Sequence, residues 1–123
     1  MKKGLLVLLV AIIAVVSSCS KDAKINRRLD GEWKVVTIGG VAPEVGESYS
    51  FKFTKVDKLT GTGTFTYTFL TESFTEPLTY TVLDEKITVI IDGEVEIFTV
   101  TTYEKDRMEM IDTDGDIWVL DPK

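Results

Sequence analysis

From Glu32 onward apolar and polar residues alternate with a period of two, and that alternation constrains the fold more than any other feature of the chain. Tyr49, Phe51 and Phe53 share one face against Ser50, Lys52 and Thr54, while Phe65, Tyr67 and Phe69 oppose a row of threonines. β-Branched and aromatic residues dominate, and helix-like stretches of ten or more residues are absent from this part of the chain. The pattern predicts strands at 32–39, 48–56, 62–70, 76–83, 86–91, 94–102, 107–111 and 116–120. Asp92-Gly93 lies between KITVII and EVEIF as a two-residue hairpin turn, since both turn positions need positive φ and these residues tolerate it. Asp84-Glu85, Glu104-Lys105-Asp106 and Asp112-Thr113-Asp114-Gly115 read as further tight reversals, and 40–48 as the one long loop. Consecutive hairpins make a meander. Antiparallel strands joined nearest to nearest remove their exposed edges by closing on themselves. Residues 31–123 are therefore expected to form an all-β, eight-stranded antiparallel up-and-down barrel, with a sandwich as the alternative.

The first thirty residues follow other rules. Lys2-Lys3 is followed by the wholly apolar run Gly4 to Val16 and then by Ser17-Ser18-Cys19, the charge, grease and small-residue order of a secretory leader. The apolar run falls short of the roughly 20 residues that a spanning helix needs. Residues 1–18 are thus expected to be a signal peptide. Val16-Ser17-Ser18-Cys19 resembles the lipobox of bacterial lipoproteins. The resemblance implies cleavage between Ser18 and Cys19, a diacylglyceryl thioether on Cys19 and acylation of the new amino terminus. Such chains hold a protein to its membrane at about 0.8 kcal/mol per buried methylene. Ser20 in place of an acidic residue is similar to lipoproteins passed on to the outer membrane, and Lys21-Asp22 faintly resembles a surface-export tag. The expected location is the bacterial cell envelope, with the periplasmic or surface face left open. Residues 19–30 read as lipidated cysteine and tether with one helical turn, in which Ile25 and Leu29 share a face suited to plugging an opening in the body. Arg27-Arg28 reads as solvated linker, with contact to phosphate head groups near the anchor as the alternative.

Charge and composition narrow the chemistry. Removing Lys2 and Lys3 from the fourteen basic residues leaves twelve against twenty acidic ones, a net of −8 for the mature body. Such a surface repels phosphate backbones, so no nucleic-acid partner is expected. The chain has no histidine, the commonest general base and transition-metal ligand, and its single cysteine permits no internal disulfide.

Leu29-Asp30-Gly31-Glu32-Trp33 resembles the L-x-G-x-W opening of lipocalin-like proteins. There a short helical turn precedes a first strand whose tryptophan packs across the closed end of an eight-stranded barrel. The resemblance implies that Gly31 and Trp33 close the barrel and that the 40–48 loop sits at its mouth. The chain departs from the family in lacking the T-D-Y motif and an arginine on the last strand to cover Trp33.

Candidate chemistry is sparse. In DTDGD, Asp112 to Asp116, carboxylates recur every second residue, but Gly115 stands fourth and Lys123 occupies the twelfth position, so an EF-hand calcium loop does not fit and a polar turn does. Glu94 and Glu96 share a strand face and read as displayed outward, not as a catalytic pair. Neither a G-x-S-x-G elbow nor a phosphate-cradling glycine loop is present, and no enzyme, metal site or cofactor is expected. The aromatic row remains. An eight-stranded barrel is just wide enough to be filled by side chains or to hold one small ligand, and the number of inward aromatics favours a filled interior with a shallow cup at the mouth. Candidate ligand-binding residues are Tyr49, Phe51, Phe65, Tyr67 and Tyr80. The expected function is binding of a small apolar or amphipathic ligand in the barrel mouth. The alternative is an envelope interaction module that meets a protein or glycan through its outer face and has no cavity.

Overall fold

The computed structural model describes residues 21–123. The expected leader, the cleavage site at Ser18 and the lipid attachment at Cys19 lie outside the described residues. Residues 21–29 are helical, longer than the single turn expected, and Arg27 and Arg28 stand on this helix instead of in a linker. Eight strands follow: β1 Gly31–Ile38, β2 Glu47–Lys55, β3 Thr60–Phe69, β4 Glu72–Leu83, β5 Lys86–Ile91, β6 Glu94–Tyr103, β7 Met108–Ile111 and β8 Ile117–Pro122. Each pairs antiparallel with its neighbour in sequence, and β8 pairs with β1 through Val35 opposite Leu120, so the sheet is a closed up-and-down barrel and not a sandwich. Bulges at Val35/Thr37 and Val100/Thr102 interrupt the ladder, the usual device for bending strands in a closing sheet.

Alternation decides what lies inside. Trp33 and Val35, Phe51 and Phe53, Leu78, Tyr80 and Val82, Ile87 and Val89, Phe98 and Val100, and Met108 and Met110 all point inward and are buried. The opposite positions on β3 and β4 are largely hydroxylic and wet, with Thr66 bonded to Thr75 at 3.1 Å and Thr68 to Ser73 at 3.0 Å across the pair. β4 starts four residues before the expected boundary. Glu72 to Thr75 lie opposite Phe69 to Thr66, a pairing that the polar sequence ESFT does not announce.

One end of the barrel is sealed. Ile25 and Leu29 are fully buried beneath the helix, each worth about 1.5–3 kcal/mol in apolar transfer. Trp33 packs above them and donates its indole N–H to the Leu29 carbonyl at 2.8 Å, while Gly31 makes the corner between helix and β1 with φ of 133°. Asn26 is completely buried: its amide donates to the carbonyls of Asp57, Lys58 and Thr60, and its Oδ1 accepts the Tyr80 hydroxyl at 2.6 Å. The Tyr80 ring lies over Gly61, where a Cβ would collide with it. The Asp22 carboxylate accepts from the backbone N–H of Asp84 at 3.0 Å and of Glu85 at 2.9 Å. Those two residues form the β4–β5 turn with φ of 53° and 62°, a conformation that costs non-glycine residues roughly 1–3 kcal/mol each. Helix, turns and strand ends are thus tied together at this closed end, leaving the other end as the mouth.

The mouth cup

The mouth carries the β1–β2 loop and the hairpin turns at 70–71, 92–93 and 112–116. Asp92-Gly93 forms the expected hairpin, with φ of 52° and 78°. Between the turns opens a cavity of about 520 Å³. Its floor and sides are the aromatic rings of Phe51, Phe65, Phe98 and Trp118, together with Ile91. The rings brace one another: Phe51 and Phe65 lie 4.9 Å apart between centroids, and Trp118 meets Phe98 edge-on at 5.3 Å. Below this level Leu78, Val89, Val100 and Met110 fill the interior. The barrel is therefore solid toward the helix and hollow at the mouth.

Six carboxylates complete the lining: Glu76, Asp92, Glu94, Glu96, Asp112 and Asp114. Three arrive by strand register. Glu76 stands opposite Phe65, Glu94 opposite Ile91 and Glu96 opposite Val89, so each continues an inward row. Glu94 and Glu96 are solvent-exposed, but on the inward face of β6 at the mouth and not on the outward face expected for them. Phe98 and Val100 continue their face of β6 and are buried, which puts the two glutamates at the upper end of the same interior row.

The 112–116 turn positions the tryptophan. Asp112 accepts from the backbone N–H of Asp114 at 3.0 Å and of Asp116 at 2.9 Å through Oδ1, and from the Trp118 indole at 2.9 Å through Oδ2. The indole bond, followed by the backbone bonds, holds the Asp112 carboxyl below the usual carboxylate range despite the opposing effect of partial burial. Asp112 thereby shapes the turn, as the loop grammar of DTDGD implies, and fixes one wall of the cup. Among the described residues no group of three or more His, Cys, Asp or Glu side chains is arranged to hold a metal ion.

The structure separates the five candidate ligand residues. Phe51 and Phe65 line the cavity. Tyr49 and Tyr67 lie beside it at the rim, 5.2 Å apart, with both hydroxyls donating to the Glu47 carboxylate at 3.4 and 3.3 Å. Partial burial, reinforced by Glu47, holds both phenols above the usual tyrosine range. Tyr80 is at the closed end, and its hydroxyl is satisfied by Asn26. The cavity also opens away from the expected loop: Val41 to Ser48 border separate shallow grooves beside Tyr49, whereas the cup opens beside β4 to β6 and the 112–116 turn. Phe98, Trp118, Ile91 and the carboxylates were not foreseen as site residues. The signal for Glu94 and Glu96 was present in the parity they share with Phe98 and Val100.

Comparison with protein-family models, curated proteins and solved structures returns no match.

Proposed function

We propose that this protein is a lipid-tethered binding module of the bacterial cell envelope that takes a small apolar or amphipathic molecule into the mouth of its barrel. The observation that carries this reading is the 520 Å³ cavity with its braced aromatic floor, a volume within the range of small-molecule sites. The apolar interior and hydroxylic outer face of β3 and β4 are the reverse of a membrane-spanning barrel and suit a body standing in water. The helix that seals the closed end starts within two residues of Cys19. A lipid on that cysteine would hold the closed end toward the bilayer and turn the mouth away from it. Arg27, Arg28 and Lys105 border a shallow hollow at the closed end, where they would meet anionic head groups.

A second reading, interaction through the outer face, draws on exposed Ile90, Val95 and Ile97 on β5 and β6. The solid interior that it assumed is absent at the mouth.

Native mass spectrometry of envelope-purified protein tests the proposal. The expected species begins at Cys19, carries acyl chains and retains a small molecule that is lost when Ile91→Trp fills the cup. A species that begins upstream of Cys19, or one without lipid, would contradict the tether. Retention of the small molecule by Ile91→Trp would contradict the site.

A further inference from the structure

The cup is an aromatic box with carboxylate walls, and its charge has no counterpart nearby. Among the described residues every lysine and arginine lies on the helix, at the closed end, or at mid-strand as Lys34 and Lys52 do. None lies at the mouth. The ion pairs found among the described residues, Lys21 with Glu85 and Arg107 with Asp121, are both near the closed end. Glu76, Glu94 and Glu96 occupy inward-facing strand positions at the mouth end, where they are solvent-exposed and line the cup.

We infer that the cup selects an organic cation: an ammonium group carried on an apolar body. This inference rests on the mouth-binding reading and names its ligand class. Aromatic faces attract a cation through their ring quadrupole, and the low-dielectric walls of a cleft focus the field of the carboxylates onto it. Phe51, Phe98 and Trp118 supply the faces, and Glu76, Glu94 and Glu96 supply the charge. The same walls disfavour a fatty carboxylate, whose head would face like charges. A bare metal ion is matched poorly, because the described carboxylates form no metal-holding group of three. Charge spread around an opening more than wide enough for one ion suits an ammonium group carried on a bulky apolar body.

The test uses the purified full chain and three probes that share one phenyl-tetramethylene body and differ only at the head: 4-phenylbutylamine, 4-phenylbutanol and 5-phenylpentanoate. Isothermal titration should rank the amine at least tenfold above the alcohol, with the carboxylate weakest, and the preference should shrink as salt is raised. In Glu94→Gln/Glu96→Gln the amine should lose at least tenfold while the alcohol binds as before, and the variant should melt no lower than the parent. Trp118→Leu should weaken the amine more than the alcohol. If the alcohol or the carboxylate bound as tightly as the amine, or if calcium alone displaced the amine, the cation assignment would be wrong while mouth binding stood. If none of the three bound, both would fall.

Discussion

Tyr80 donates its hydroxyl to Asn26 Oδ1 at 2.6 Å, and both side chains are buried. Burial, with help from Asp30 and Asp57, pushes the Tyr80 phenol up to about 12. The raised folded value fixes the sign of its pH effect. The contribution is fully present below the unfolded tyrosine value near 10, and it is lost as pH rises through about 12. Stability should therefore begin to fall above about pH 10, and in an absorbance titration Tyr80 should ionise only as pH approaches about 12. Tyr80→Phe should cost about 1–3 kcal/mol in urea unfolding, because Asn26 Oδ1 is left unpaired; an unchanged midpoint would contradict the role given to this bond. The sequence marks Tyr80 as an inward aromatic but cannot say that a helix residue 54 positions away meets its hydroxyl. Strand parity places a side chain inside a barrel without placing it along the axis, which is why Phe51 and Phe65 line the cup while Tyr80, on the same inward parity, lies at the closed end.

The helix and the β4–β5 turn depend on each other. Asp84 and Glu85 hold positive φ without glycine, and the Asp22 carboxylate receives both of their N–H groups. Asp22→Ala removes both acceptors and should lower stability by about 1–3 kcal/mol, with faster amide exchange at residues 84 and 85 than in the parent. If exchange there did not change, the turn would be self-sufficient and the helix a passive plug. At this scale most of the fold was legible. Six of the eight strand starts fall within one residue of the alternation pattern, and the hairpins at 84–85 and 92–93 fall on the expected pairs. The exceptions have physical causes. β3 begins two residues early, at Thr60, where its threonine-glycine start carries no apolar alternation, and β4 starts at Glu72 because its polar extension is held by pairing with β3 and not by burial. The helix outgrew its expected single turn because its stability comes from the barrel end that it covers, through Ile25, Asn26 and Leu29.

On the scale of the molecule the barrel has two unlike ends, one sealed by a helix and supplied with cations, the other hollow, aromatic and acidic. Closure was legible from the meander of hairpins. The unlike ends were not, because they arise when eight strands bring residues from positions 51 to 118 around one opening. Nothing in local spacing connects Trp118 with Phe98, or either with Phe51. The most direct test of the mouth as the binding site is a map of backbone and indole chemical shifts in the isotope-labelled protein, titrated with an envelope lipid extract and then with 4-phenylbutylamine. Shifts should gather on Phe65, Ile91, Glu94, Glu96 and the Trp118 indole while the Trp33 indole and the Asn26 amide stay still. Shifts centred on the closed end or the outer face of β5 and β6, with the Trp118 indole unmoved, would contradict the account.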